Sequence, residues 1–148
     1  MKKHVLFFFA AMTAMSSLYA QDMAQSQVPS VIVNEFNKQF RKATDVDWEK
    51  DGSFYNVDFE LGWDIDHEVW FDAEGEIVRH EEDMVVGDLP EAVRERIETD
   101  FKGYSVDDLV RICDRSDVVY KVELQALMEQ DWEVVIDEKG EVLNKIAD

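Results

Sequence analysis

Hydrophobic and polar residues follow two different periods along this chain, and each period occurs twice. The first is a spacing of about four residues, which places apolar side chains on one stripe of a helix. The second is an alternation, which is typical of a strand with one buried face. The helical stripe consists of Ile32, Phe36 and Phe40 and recurs 61 residues later as Val93, Ile97 and Phe101. The pattern therefore predicts two helices that are each followed by strands.

The alternating segments include two predicted β-hairpins of similar sequence. Residues 67–78 and residues 132–143 are identical at five of twelve positions. Asp72 and Asp137 suit the start of a turn, because a short carboxylate can accept hydrogen bonds from the amides that follow it. Gly75 and Gly140 suit the turn position that needs a positive φ. We interpret the two segments as copies of one unit.

The predicted fold class is α+β, with two tandem repeats that each contain one helix followed by a four-stranded antiparallel sheet. The repeats are residues 28–84 and 85–148, and a polar leader at residues 21–27 is expected to be flexible. A unit of about sixty residues buries too little surface to be very stable alone, which favours two joined units. Each helix covers one face of its sheet and leaves the other face open.

Residues 1–20 have the pattern of a secretory signal peptide. Lys2, Lys3 and His4 form a basic start, an apolar run follows, and small residues precede Ala20. We expect cleavage near Ala20 and a periplasmic or secreted mature protein that does not insert into the membrane. A retained interfacial anchor is the alternative for this segment.

The charge of the chain narrows the partners that it can bind. The formal net charge is −19, and it is −21 for residues 21–148. Nucleic acids and anionic lipid surfaces need a basic face and are excluded, whereas basic proteins, peptides and cations are compatible with this charge. A solvated surface that keeps an exported protein soluble is the alternative explanation. Cys113 is the only cysteine, which excludes an intrachain disulfide.

The open sheet face is the strongest candidate for a functional site. Its predicted partner-binding residues are Phe54, Asp58, Glu60, Asp66, Glu68 and Trp70 in the first copy, and Lys121 and Glu133 in the second. Val119 and Val135 share this parity in the second copy. Aromatic side chains among carboxylates on an exposed sheet are typical of a surface that binds a protein or peptide. The alternative is that Trp70 and Phe54 pack under a loop or between the copies.

Metal binding and catalysis have weaker candidates. Asp64, Asp66 and Glu68 align on one strand face, and clustered carboxylates suit Ca²⁺, but the chain has no calcium-binding loop. A solvated acidic face is the favoured interpretation. We expect His67 to be packed or hydrogen-bonded rather than a ligand, and His80 beside three acidic residues is a weak metal signal. The sequence has no phosphate-binding loop, paired zinc motif or nucleophile elbow, so we expect no cofactor, no catalytic residues and no enzymatic activity.

Several short stretches resemble the PepSY-like family of exported bacterial proteins, whose fold resembles β-lactamase inhibitor protein. They are Val46–Glu49, Val57–Phe59, Glu68–Gly75, Leu89–Val93 and Tyr120–Leu124. The likeness covers roughly Val28 to Asp148, and it departs from the family at His67, in a usually apolar position, and in a longer segment from Gly103 to Asp117. The resemblance implies tandem helix-plus-sheet repeats, a periplasmic or secreted location and no established catalytic residues. Inhibition of a peptidase or β-lactamase is only an analogy from the fold.

These observations lead to one functional prediction with two alternatives. We expect a non-catalytic periplasmic or secreted module that engages a protein or peptide of the cell envelope through its open sheet face, in an inhibitor-like manner. The alternative is an acidic envelope protein that binds cations of the Ca²⁺ type. A hydrolase built on Cys113 and a histidine is a remote alternative.

Overall fold

The computed structural model describes residues 21–63 and 65–148, so the predicted signal peptide and Asp64 lie outside the described residues. Within these ranges the chain has two α-helices, two short 3-10 helices and nine strands. The α-helices are α1 (Ser30–Gln39) and α2 (Glu91–Asp100). The strands are β1 (Gln21–Met23), β2 (Thr44–Asp51), β3 (Phe54–Glu60), β4 (Asp66–Phe71), β5 (Ile77–Asp83), β6 (Ser105–Asp114), β7 (Asp117–Gln125), β8 (Trp132–Asp137) and β9 (Val142–Ala147).

The chain forms two compact units. The N-terminal unit ends at Glu82 and also contains Cys113–Ser116, and the C-terminal unit comprises Asp83–Ile112 and Asp117–Asp148. No helix in the part of the chain that the structure describes is long and apolar enough to cross a membrane.

The core of the N-terminal unit lies between α1 and one face of the antiparallel strands β1–β5. Ile32 and Phe36 on α1 are 0% and 3% exposed, as the helical stripe predicts. They pack with alternate residues of β2, β3 and β4, namely Trp48, Val57, Phe59, Val69 and Phe71. Pro29 immediately precedes α1, where its missing amide hydrogen costs nothing. The predicted helix and its buried face are confirmed.

The predicted leader at residues 21–27 differs from the structure. The expectation that this segment is flexible is wrong, because Gln21–Met23 form β1 and pair with Trp48–Lys50 of β2. Met23 packs against the core, and Gln25–Gln27 form a short 3-10 helix. The physical reason is that β2 otherwise presents an unpaired edge, and a short segment beside it can satisfy those backbone groups.

The C-terminal unit contains α2 and the strands β6–β9. Val93 and Ile97 on α2 are 0% and 8% exposed and pack on residues of three strands. Those residues are Leu109, Tyr120, Val122, Leu124, Val134 and Ile136. Strands β7, β8 and β9 pair antiparallel in chain order. The second predicted helical stripe is thus also confirmed.

A second apolar cluster lies on the other face of the C-terminal strands. Val119 and Val135, which we expected on an open face, are 7% and 1% exposed and pack with Val110, Ile112 and Leu143. Alternation assigned both residues to the correct face, because they lie between core residues along β7 and β8. The expectation that they line an open surface is wrong, since neighbouring apolar side chains on the same face cover them.

The two hairpin turns have the predicted chemistry. Oδ1 of Asp72 accepts hydrogen bonds from the amides of Glu74 and Glu76 at 3.0 and 2.9 Å. Oδ1 of Asp137 accepts the corresponding bonds from residues 139 and 141 at 2.9 and 2.8 Å. Gly75 and Gly140 have φ values of 89° and 78°, which residues other than glycine rarely adopt.

Candidate functional site

The face of the N-terminal strands that points away from α1 carries most of the predicted site. We call it the acidic face and define it by alternate residues of β2–β5, which lie between the core residues of each strand. Its members are Asp47, Glu49, Phe54, Asn56, Asp58, Glu60, Asp66, Glu68, Trp70, Arg79 and Glu81. All six residues predicted for the open face of the first copy therefore lie together.

A row of four carboxylates crosses the acidic face. Asp47 lies opposite Asp58, Asp58 opposite Glu68, and Glu68 opposite Glu81, so the row runs from β2 to β5. Directly opposed side chains of neighbouring strands are close together, and like charges in such pairs are destabilising. The row therefore concentrates negative charge on the acidic face at some cost in stability.

The environment of this row raises the pKa of its two central members. Burial, followed by repulsion from Glu49, Asp47, Asp66 and Glu81, raises the pKa of Asp58 to about 6. Burial and repulsion from Asp58 raise the pKa of Glu68 to about 7, although a hydrogen bond from Asn56 and the charge of Arg79 oppose the rise. Ionisation of both carboxyl groups therefore costs free energy, and a nearby cation would lower this cost.

Asn56 is a buried polar residue within this acidic face. It is 2% exposed, and its Nδ2 donates a hydrogen bond of 2.8 Å to Oε1 of Glu68. Its Oδ1 is buried and has no hydrogen-bond partner among the described residues. A buried acceptor without a partner is costly, so a donor brought by a ligand would be favoured here. Asn56 was absent from the predicted site, although its parity in β3 matches that of Phe54 and Asp58.

The aromatic residues of the acidic face differ in their surroundings. Trp70 is half-buried, and the guanidinium of Arg79 lies 5.2 Å from its ring centroid. Arg79 also forms an ion pair with Glu81. Phe54 is half-buried at the start of β3, opposite Asp51. Neither aromatic residue belongs to the N-terminal core cluster.

The two remaining predicted site residues, Lys121 and Glu133, belong to the C-terminal unit. Lys121 lies opposite Val135 and Glu133 lies opposite Glu123, on the face that also carries the second apolar cluster. Burial, followed by the charge of Asp108, raises the pKa of Glu123. Within the C-terminal unit these residues therefore share their face with an apolar cluster.

Two of the three metal candidates predicted from the sequence lie in the described part of the chain. Asp66 and Glu68 lie on the acidic face, and Asp64 lies outside the described residues. Among the described residues, three possible donors converge only at His67, His80 and Glu82. His67 is buried and stacks on Phe59, which confirms that it is a packed residue.

The raised pKa of Asp58 predicts greater stability at mildly acidic pH. A carboxyl whose pKa is higher in the folded state binds protons more tightly when folded, so its ionisation disfavours folding. This penalty is complete above the folded pKa of about 6 and is lost as the pH falls towards the ordinary value of 3.8. We expect Asp58→Asn to stabilise the protein by about 1 kcal/mol at about pH 8, a figure reduced for solvent screening, and by much less near pH 4.

Urea unfolding of the parent and the variant at both pH values checks this prediction. Glu74→Gln is the matched control, because it removes one negative charge from an exposed turn residue outside the acidic face. Comparing each variant with its parent at the same pH removes the contribution of the histidines. Equal stabilisation by Asp58→Asn at the two pH values, or destabilisation at about pH 8, would contradict the argument.

Comparisons with known proteins agree with the fold. The sequence profile of the family described as "Putative beta-lactamase-inhibitor-like, PepSY-like" matches residues 15–68 and 53–144. A DUF2874 family protein from Bacteroides uniformis has 21% sequence identity and a TM-score of 0.69, over 80% of this chain and 88% of that one. A protein from Bacteroides eggerthii, described among "putative periplasmic proteins", has 21% identity and a TM-score of 0.70, over 81% and 88%. A BLIP-like protein from Bacteroides fragilis has 23% identity and a TM-score of 0.66, over 80% and 84%.

At these identities the solved structures establish the fold, which is a β-lactamase-inhibitor-like fold with nine antiparallel strands and two α-helices in the described residues. No curated protein matches the chain significantly. The profile matches extend over most of the chain and confirm the resemblance found in its motifs. The chain belongs to the PepSY-like, β-lactamase-inhibitor-like family.

Proposed function

We propose that this protein is a non-catalytic binding module of the cell envelope, and that its acidic face binds a cationic segment of a protein or peptide. The observation that supports the proposal is the row formed by Asp47, Asp58, Glu68 and Glu81. A lysine or arginine of a partner would replace repulsion within this row by attraction, and it would do so where the carboxylates are partly shielded from water.

Other residues of the acidic face would give such a partner its orientation. Arg79 already lies over the ring of Trp70, and a cationic side chain of the partner can use aromatic rings in the same way. The buried Oδ1 of Asn56 offers an acceptor for an N–H donor. Phe54 adds half-buried aromatic area at one end of β3. The negative charge would then raise the association rate constant, and the aromatic rings would provide the contact area that anchors the partner.

The remaining parts of the proposal concern the whole chain. We infer export to the periplasm or the medium with cleavage near Ala20, which the signal-like residues 1–20 and the periplasmic description of one structural relative support. We also infer two tandem repeats, residues 28–84 and 85–148, from the sequence match between the hairpins. One structural relative is described as BLIP-like, and by analogy we infer that this protein binds its partner as an inhibitor does. Lys121 and Glu133 would then make a secondary contact with the partner.

Binding of a defined cationic peptide tests the proposal. We expect a fluorescent arginine-rich peptide of about twelve residues to bind, and a glutamate-rich peptide of equal length not to bind, in fluorescence anisotropy at low and moderate salt. The double variant Asp58→Asn/Glu68→Gln should weaken binding at least about tenfold. Trp70→Ala should weaken binding while the melting temperature stays nearly unchanged, because Trp70 lies outside the core cluster.

The control is Glu74→Gln/Glu98→Gln, which removes the same charge from two exposed residues outside the acidic face. Equal loss of binding in the control would show that only the net charge matters and would contradict the proposal. A large fall in melting temperature for Trp70→Ala with binding intact would return this residue to a structural role. Stabilisation by millimolar Ca²⁺ that Asp58→Asn/Glu68→Gln abolishes, without peptide binding, would favour the cation-binding alternative.

A further inference from the structure

Three metal-ligating side chains converge on the helix-facing side of the hairpin formed by β4 and β5. His67 lies directly opposite Glu82, and His80 lies two residues before Glu82 on the same face. Nδ1 of His67 is 3.0 Å from Nε2 of His80 and 3.7 Å from Oε2 of Glu82. One ligand atom from each of the three residues falls within 4.8 Å of the others. Adjacent strands of one hairpin thus hold all three donors.

Aromatic packing fixes the two imidazole rings. His67 stacks on Phe59 with ring centroids 5.2 Å apart and an interplanar angle of 10°. The ring of Phe40 meets His80 edge-on at 5.6 Å. The side chain of His67 is 7% exposed and that of Glu82 is 27% exposed, so the cluster is mostly shielded while a path to water remains at the carboxylate. Donors that packing already orients need little reorganisation to bind an ion.

The corresponding hairpin of the C-terminal unit shows that the fold does not need these residues. The positions 65 residues later are Trp132, Lys145 and Ala147, in the same strand pairing. There Nζ of Lys145 lies 3.7 Å from the ring centroid of Trp132, a cation–π contact that fills the equivalent space. The hairpin is therefore compatible with a trio that cannot bind a metal. His67, His80 and Glu82 are a feature of one hairpin, and they require an explanation of their own.

We propose that His67, His80 and Glu82 form a binding site for a divalent transition-metal ion of the zinc class. Two imidazoles and a carboxylate are a common ligand set for Zn²⁺, with water as the fourth ligand, whereas Ca²⁺ and Mg²⁺ prefer oxygen donors only. Bonds of about 2.0–2.2 Å in a tetrahedral site place ligand atoms about 3.4 Å apart. The distances from Nδ1 of His67 to the other two ligand atoms, 3.0 and 3.7 Å, bracket this spacing, and all three ligand atoms lie within 4.8 Å of one another.

The site would use nitrogen donors that the acidic face lacks. His67 and His80 lie on the helix-facing side of β4 and β5, whereas Glu68 and Glu81 lie on the opposite side of the same strands. The segment from residue 44 to residue 83 has fifteen acidic and two basic residues, which raises the local concentration of any cation. Charge alone therefore predicts weak binding of many cations, and only ligation by the imidazoles predicts selectivity for Zn²⁺.

Titration of the chelator-treated protein with Zn²⁺ and with Ca²⁺ tests the proposal. We expect one Zn²⁺ per chain by calorimetry, binding much tighter than Ca²⁺, and a visible absorption band of a tetrahedral site when Co²⁺ replaces Zn²⁺. His80→Lys and Glu82→Ala copy the residues at Lys145 and Ala147, so the hairpin should fold. Each should weaken Zn²⁺ binding by more than about tenfold while the melting temperature without metal changes little.

Glu81→Gln is the matched control, because it removes a neighbouring carboxylate that belongs to the acidic face. It should keep the affinity for Zn²⁺ and the Co²⁺ spectrum of the parent. The proposal is overturned if the parent shows no saturable Zn²⁺ binding, or if it binds Zn²⁺ and Ca²⁺ equally. It is also overturned if His80→Lys and Glu82→Ala bind Zn²⁺ as the parent does, or if Glu81→Gln loses as much affinity as they do.

Discussion

Phe36→Ala should lower the free energy of unfolding by about 3–5 kcal/mol, the usual range for removing a buried aromatic ring. Phe36 is 3% exposed on the buried stripe of α1. Its ring centroid lies 5.5 Å from that of Phe40, 5.3 Å from that of Trp48 and 5.1 Å from that of Phe59. Truncation leaves a cavity among three rigid rings that cannot easily collapse, so the cost should fall in the upper part of the range.

The equivalent change in the C-terminal unit is Ile97→Ala. Ile97 is 8% exposed on α2, and we expect a cost of about 2–4 kcal/mol because the deleted side chain is smaller. Urea unfolding followed by tryptophan fluorescence and circular dichroism measures both changes. Asn37→Ala, at an exposed position of α1, is the control and should change stability by less than about 0.5 kcal/mol. Near-zero costs for Phe36→Ala and Ile97→Ala would mean that the predicted helix faces are wrong.

The helices and hairpins were predictable because their signals are local. A stripe such as Ile32, Phe36 and Phe40 follows directly from burying one side of a helix. The structure buries Ile32 and Phe36, and Phe40 packs against them partly buried at the end of the helix. Likewise, Asp72 predicts the side-chain hydrogen bonds of its turn, and Gly75 predicts the positive φ. In each case a few neighbouring residues contain the whole physical requirement.

Other features depend on contacts that no short stretch reveals. Strand β1 has only three residues. It forms because the edge of β2 has backbone groups to pair with and because Met23 packs against the core. Val119 and Val135 had the correct parity, but their burial depends on β6, whose register the sequence did not fix. Alternation gives the face of a residue, and only the neighbouring strands decide whether that face is covered.

The His67 cluster escaped prediction for a related reason, which is a register shift in the hairpin. Phe71 pairs with Ile77 but Trp70 pairs with Arg79, so Val78 is an extra residue in β5. Without the extra residue, continued pairing from the turn would place His80 opposite Glu68, on the acidic face. The bulge moves His80 to the face that carries His67.

The same shift occurs in the second hairpin, between Val135 and Ile136. There it brings Lys145 to the side of Trp132, just as it brings His80 to the side of His67. A bulge of one residue exchanges the two faces of a strand, so a site that uses β5 cannot be assembled until the bulge is known. Residues of β3 and β4 needed no such knowledge, so alternation alone placed Asp58, Glu68 and Trp70 on one face of the strands.

The turn of the second hairpin carries the other large predicted effect. Gly140→Ala should destabilise the protein by about 3–4 kcal/mol, through strain at a positive φ and overpacking against α2. A Cβ at Gly140 would lie 2.4 Å from the carbonyl oxygen of Ala92 and 3.0 Å from its carbonyl carbon. The carbonyl of Gly140 also accepts a hydrogen bond of 2.7 Å from Nε of Arg96. The added Cβ would clash with the backbone of α2, so no side-chain rotation can relieve the clash.

Two matched glycines separate the causes of this effect. Gly75 occupies the same position in the first hairpin at φ 89°, but its Cβ would meet a side-chain methyl of Val31 at 3.2 Å, which can move. Gly52 has φ 56°, and no atom of the described residues lies within 4 Å of the position that a Cβ would take, so Gly52→Ala measures the backbone strain alone. We expect the cost to rise from Gly52→Ala, at about 1 kcal/mol, through Gly75→Ala to Gly140→Ala. Equal costs in urea unfolding would show that the helix does not approach the turn of the second hairpin, and a cost near zero for all three would show that the turns adopt another conformation.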